Sequence, residues 1–344
     1  MGRRRIVVLA VALVAVPTSG GCARGDRASG PPQVHEQPPA WLDTASFAAL
    51  GADLAAVGDS TGDVRPQARR PDGTWIDLPI LPRPGRYSTV GVGSTILAVG
   101  TLCSTDEECA RGSFRMYLLS ADRSHWTALN APNVPVTEGR EIYALPTDGP
   151  HAVVFIDDGY YSIDEAGLVT KLDPPDDAGP GNLCVAGDVL IRAEVDDGPT
   201  IDRIDTRDLS DRDGDWVRGA PPPPPPMDAA GPDGVLCGPD GITLVRPTTE
   251  RSFSMSTGTW TTVESNYGEV ADGDPLPWHL DAAAWTPDGG TAFIAPRSRV
   301  LARTGPGQWQ DTLVPGAQVV STDSAVLAVT DVPGRAVSQV WSSA

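Results

Sequence analysis

Four aspartates crowd one short stretch of the chain, DLSDRDGDW, at Asp208, Asp211, Asp213 and Asp215. Alternating acids around a glycine can wrap a hard cation such as Ca²⁺ with oxygen ligands. The distal glutamate that closes an EF-hand loop is missing, and a solvated hairpin turn would use the same residues for its own backbone. Calcium is thus the one candidate cofactor, with a plain turn as the competing reading.

A second set of polar residues lies in long segments rich in Gly and Pro. CSTDEEC holds Asp106, Glu107 and Glu108, and APNVPVTEGRE holds Glu138, Arg140 and Glu141. ESNYGEVADGDPLPWHLD holds Tyr267, Glu269, Trp278, His279 and Asp281. Two carboxyl groups facing each other at roughly 5–9.5 Å would hydrolyse a glycosidic bond. His279 beside Trp278 suits a base or a sugar-stacking pair. Acids in loops are otherwise solvated surface, and the four histidines, His35, His125, His151 and His279, fall in scattered contexts. The sequence has no H-E-x-x-H motif and no phosphate-binding P-loop.

The amino terminus carries an export pattern. Arg3, Arg4 and Arg5 precede an unbroken apolar run, Ile6 to Val16, too short to span a membrane. Ser19, Gly20 and Gly21 then lead into Cys22, and S-G-G-C resembles the lipobox of bacterial lipoproteins. The resemblance implies that residues 1–21 are a signal peptide and that Cys22 becomes the lipidated first residue. Ser19 departs from the Leu usual in that family. The polar, Pro-rich residues 22–38 would be a flexible tether. The protein is then expected on the outer face of the cytoplasmic membrane, held by lipid alone, or, with ordinary cleavage, secreted and soluble.

Without residues 1–21 the chain keeps 23 basic and 45 acidic residues, a formal charge of −22. Such a surface repels nucleic acid and anionic headgroups. Beyond Cys22, four cysteines remain, an even number that favours two disulfides in an oxidising compartment. Cys103 and Cys109 close a local loop, which leaves Cys184 with Cys237. A zinc site competes poorly, since no histidine lies near any of the four.

The elements that would position these groups come in a repeat. Trp75, Trp126, Trp216, Trp260 and Trp309 each sit in a similar phrase, as in PDGTWIDL and STGTWTTV, with Val169 taking the Trp place in GLVTKL. The period is about 47 residues, and each unit holds four short apolar runs cut by Gly, Pro, Asp and Asn. Four antiparallel strands per unit make a β-propeller blade. The Trp phrase is expected on the outermost strand, its ring wedged against the neighbouring blade. The carboxyl end gives three strands without a Trp phrase, and PPAWLDTA supplies that phrase near the amino end. Residues 40–45 are therefore expected to complete the last blade, giving an all-β, seven-bladed ring over 39–344, with six blades as the alternative.

The pattern resembles propellers of the kelch and sialidase-repeat kinds. PDGTW departs from the sialidase Asp box by one residue between Asp and Gly. Asp53, Asp148, Asp188, Asp240, Asp288 and Asp323 recur at the first hairpin turns, where Asp stabilises its own backbone. Cys184 and Cys237 then fall on the first strands of adjacent blades, and Pro221 to Pro226 form a polyproline II spacer. The expected role is a monomeric, non-enzymatic binding or scaffold propeller for an envelope protein or glycan. The rival is an envelope glycan hydrolase or lyase with carboxylates at the long-loop mouth.

Overall fold

The computed structural model describes residues 33–39, 41, 45–58, 66–102, 114–130, 142–145, 149–156, 159–173, 181–194, 201, 203–219, 221–224, 234–271, 283–330 and 337–343. Seven antiparallel sheets, one per blade, are arranged in a ring. Blade one contains β1 (Val34–His35), β2 (Ser46–Leu50), β3 (Asp53–Val57), β4 (Gln67–Arg69) and β5 (Trp75–Asp77). Blade two contains β6 (Gly85–Val92), β7 (Thr95–Leu102), β8 (Phe114–Leu119) and β9 (Trp126–Leu129). In blade three these are β10 (Ile142–Leu145), β11 (His151–Ile156), β12 (Gly159–Asp164) and β13 (Val169–Leu172). Blade four has β14 (Gly181–Ala186), β15 (Val189–Glu194), β16 (Arg203–Asp208) and β17 (Val217–Arg218). Blade five has β18 (Gly234–Gly238), β19 (Gly241–Arg246), β20 (Thr249–Ser254) and β21 (Thr259–Glu264), followed by the single-turn helix α1 (Tyr267–Val270). Blade six has β22 (Ala283–Trp285), β23 (Ala292–Ile294), β24 (Arg299–Gly305) and β25 (Gln308–Pro315). Blade seven has β26 (Gln318–Ser321), β27 (Ala325–Val329) and β28 (Val337–Ser342).

The strand chemistry follows each strand's place. Second strands lie between two neighbouring blades, so both faces are covered and the sequence reads as a continuous apolar run. β3, DLAAV, is buried at every residue, and so is β19, GITLVR. Outer strands meet water on one side and alternate instead: Trp309 is buried in β25 while Gln308 and Gln310 are exposed. First strands touch first strands around the circle, and β26 touches β2, which closes it.

The core is divided into clusters that lie mostly at the seams between blades, and the phrase tryptophans fill them. Trp75, Trp126 and Trp309 are 2 %, 7 % and 4 % exposed. Each Trp packs on the blade before it: Trp126 among blade-one residues such as Ile76 and Leu78, Trp309 beside Leu236 and Val245 of blade five. Val169 plays the same part in blade three, against Leu118 and Met116. At about 25 cal/mol per Å² of apolar surface, burying an indole contributes several kcal/mol.

The amino-terminal segment adds a strand to blade one that the sequence did not predict. Among the described residues blade seven has three strands, and the amino-terminal strand β1 joins the outer edge of β5, with Val34 opposite Ile76 and His35 opposite Trp75. β1 thus lies within the segment expected to be tether. Residues 40 and 42–44 lie outside the described residues, but Trp41 is placed in the seam between blades seven and one, beside Phe47, Leu327 and Val329. Apolar packing in that seam holds the Trp41 ring.

Candidate functional site

The first strands enclose a central cavity of about 530 Å³. Its wall is built from small residues because seven strands converge there: Ala48, Gly91, Ala144, Gly238 and Ala284 leave room where bulk would close the channel. Hydroxyls and an amide add hydrogen-bonding capacity, from Ser46, Ser88, Thr89, Ser321 and Gln318. Ser46 and Thr89 hydrogen-bond across blades one and two, Oγ to Oγ1 at 2.9 Å, while the Thr89 N–H donates to Ser46 Oγ at 2.8 Å. Among the described lining residues the one carboxylate is Asp323, and none is His, Lys or Arg.

Trp285 gives the wall an aromatic surface. Its indole N–H donates to the Cys237 carbonyl at 2.5 Å, and the ring lies over Gly238, where a Cβ would meet it at 2.6 Å. Gly238 is therefore required for the close approach of blades five and six. The Trp285 carbonyl is held too, accepting from Ser321 Oγ at 2.5 Å.

The Cys184–Cys237 disulfide is formed, with Cα atoms 5.9 Å apart, and it joins β14 to β18 beside the cavity. Adjacent first strands approach closely at the centre of the ring, which brings two cysteines 53 positions apart into bonding range. Such a bond belongs to an oxidising compartment. Cys22, Cys103 and Cys109 lie outside the described residues.

The candidate ligand-face residues fare unequally. Glu138, Arg140, Glu141, Trp278, His279 and Asp281, with Asp106, Glu107 and Glu108, lie outside the described residues. Glu269 is exposed on α1. Tyr267 is not a ligand-facing residue: it is 1 % exposed, its ring edge-on to Trp309 at 5.0 Å. Packing explains the difference, since α1 turns Tyr267 into the seam between blades five and six.

Asp208, Asp211, Asp213 and Asp215 are all exposed. Asp208 accepts from Ser210, N–H at 2.8 Å and Oγ at 2.6 Å, and Asp211 accepts the N–H of Asp213 at 3.2 Å. The Ser210 hydroxyl and N–H hold the Asp208 carboxyl below its ordinary range. Among the described residues no three His, Cys or acid side chains converge as a metal site needs. The hairpin aspartates are likewise engaged in or beside their turns. Asp53 pairs with Arg123 at 2.5 Å, Asp188 with His151 at 3.0 Å, and Asp288 accepts from Thr286 Oγ1 at 2.5 Å. Asp148 lies outside the described residues.

Sequence reasoning missed Trp285, Gln318 and the hydroxyl wall. The available signal was AAAWTPD, which places Trp on a first strand where the equivalent positions hold Leu50, Leu145, Val185, Cys237 and Val320.

No family model matches the chain, and no curated protein matches its sequence. Solved structures do match the fold. Virginiamycin B lyase from Staphylococcus aureus aligns over 90 % of this chain and 99 % of its own, at 14 % identity and a TM-score of 0.54. A catalytically inactive form of that lyase with quinupristin aligns over 89 % and 96 %, at 13 % identity and a TM-score of 0.53. The extracellular domain of a putative one-component system from B. thetaiotaomicron aligns over 88 % of this chain and 39 % of its own, at 10 % identity and a TM-score of 0.50. At these identities the likeness is one of fold. No helix among the described residues is long and apolar enough to cross a membrane.

Proposed function

We propose that the chain is an exported propeller, tethered by lipid on Cys22, that binds a protein or glycan of the cell envelope without transforming it. The observation that carries this reading is the central cavity, with its hydroxyl-bearing wall, one aromatic plate at Trp285 and one carboxylate at Asp323. Glycoside hydrolysis in its usual form needs two carboxyl groups on opposite sides of the bond, and the described wall offers one. Small side chains, scattered hydroxyls and an aromatic plate suit recognition. The Cys184–Cys237 bond beside the cavity supports a rigid wall, which lowers the entropic cost of binding.

The test is capture from envelope extract on the immobilised mature protein, run beside a glycan array and repeated with Ser88→Trp, which fills part of the cavity. One protein or glycan class should be retained by the parent and lost with Ser88→Trp. Cleavage of the retained molecule would overturn the binding reading.

A further inference from the structure

Blade seven ends one strand short among the described residues, and its last strand, β28, presents an outer edge to which no described strand pairs. Exposed edges are usually blunted by a charge, a proline or a covering segment. β28 reads VSQVWS and carries neither charge nor proline. Beside it, between blades seven and one, lies a second cavity of about 240 Å³. Gln339, Ser342 and Ser343 line it from blade seven, and Arg69 and Arg70 from blade one.

The two guanidiniums sit side by side in a chain whose acids outnumber its bases 45 to 26. Several described arginines have carboxylate partners: Arg123 pairs with Asp53, Arg192 with Asp205 and Arg303 with Glu250. Arg69 and Arg70 make no side-chain hydrogen bond or ion pair among the described residues. Asp72 is the nearby acid and interacts with both guanidiniums through its charge, while its Oδ1 accepts the Thr74 N–H at 2.9 Å and Oγ1 at 2.7 Å. Arg69 is half-buried, so part of its solvation is already lost. Two cations against one acid leave a net positive charge beside a strand edge to which no described strand pairs.

We propose that the outer edge of β28 receives an extended acidic peptide from a partner protein as a fourth strand, with Arg69 and Arg70 holding its carboxylates. Main-chain hydrogen bonds to β28 give the strand its affinity, and alternate side chains face the cleft. Guanidinium–carboxylate pairs at a half-buried position set the preference for acid. The surface is separate from the central cavity, so it stands or falls independently of the function proposed above.

The test uses the mature chain and fluorescence anisotropy with three labelled hexapeptides. One alternates valine and glutamate, one replaces glutamate by glutamine, and one keeps glutamate but is N-methylated at alternate residues. The glutamate peptide should bind, with the other two at least tenfold weaker. Arg69→Gln with Arg70→Gln should weaken the glutamate peptide at least tenfold and leave the glutamine peptide unchanged, while Ser88→Trp should leave both unchanged. The peptide comparisons stand on the unaltered protein even where the double variant fails to fold. Equal binding of the glutamate and glutamine peptides, undiminished binding of the N-methylated one, or no binding at all would overturn the proposal. So would loss of binding in Ser88→Trp, concentration-dependent dimerisation blocked by the peptide, or a large gain in peptide affinity on removing residues 23–32. The last two would assign the edge to a second copy or to the chain's own amino-terminal segment.

Discussion

The indole N–H of Trp126 donates to the carbonyl oxygen of Pro79 at 2.8 Å, one blade back along the ring. Trp216 does the same to Asp173 at 2.7 Å. Pro79 and Asp173 occupy the same place in their own phrases, four residues after Trp75 and after Val169. The repeat therefore fixes a bond between blades as well as a buried ring. Trp126→Phe should cost about 1 kcal/mol for the hydrogen bond, and Trp126→Ala about 3–5 kcal/mol for the ring and its cavity. Denaturant unfolding of the two variants separates the two contributions.

Blades five and six use an ion in place of that carbonyl. Glu250 is 0 % exposed and accepts from Trp309 Nε1 at 2.5 Å, Arg303 Nε at 2.9 Å and the Gly307 N–H at 2.9 Å. Glu250→Gln leaves Arg303 without its charge partner and should destabilise by about 3–5 kcal/mol. Glu250→Leu combined with Arg303→Met should cost less than either change alone, because no unpaired charge is left behind. A double-mutant cycle on unfolding free energy checks this.

Removing the Cys184–Cys237 bond frees a loop of 53 positions in the unfolded chain. The Cys184→Ala, Cys237→Ala pair should lose about 2–4 kcal/mol. Cys184 is buried, so a reductant should act slowly on the folded protein and quickly in denaturant. Thiol titration with and without denaturant reads the difference.

Asp122 sets a pH dependence in acid. Its Oδ1 accepts from Ser120 Oγ at 2.7 Å and from Ser124, Oγ at 2.8 Å and N–H at 3.1 Å. These bonds, Ser120's first, hold its pKa at about 2 against an ordinary 3.8. A depressed carboxyl pKa stabilises the fold fully above the unfolded value, and the contribution fades as pH falls from 3.8 towards about 2. Asp122→Ala should flatten the dependence of Tm on pH in that window, and a carboxyl NMR titration should locate the midpoint directly.

The anchor is checked by fractionation. Cys22→Ala should shift the protein from the membrane pellet to the medium or leave it unprocessed, and an unchanged distribution would sink lipidation.

Much of the ring was legible because propeller repeats are local: a blade's four strands are consecutive, so periodic Trp, Gly and Asp report them directly. The Cys184–Cys237 bond followed from their equivalent positions on adjacent first strands. Features that depend on where distant blades meet were not legible. Nothing near Arg69 and Arg70 in PQARRP signals that β28, more than 260 positions later, forms the other wall of their cleft. Tyr267 looked like a loop residue because ESNYGEV carries no periodicity, yet one helical turn is enough to bury it. The closing phrase at Trp41 was recognised by its type, and its ring packs in the seam between blades seven and one, while residues 40 and 42–44 lie outside the described residues.

Every phrase Trp leans on the blade that precedes it, which gives the ring a direction and also an order of completion. As the chain leaves the ribosome, each new blade finds its support already made. Blade one is the exception. Trp75 is covered by Val320, Leu327 and Val329, so the first blade synthesised waits with its indole bare until the last residues arrive. For an exported protein that emerges in sequence order, this makes blade seven the step that commits the whole circle. A truncation of a few strands there would leave the earliest blade, not only the latest, unfinished.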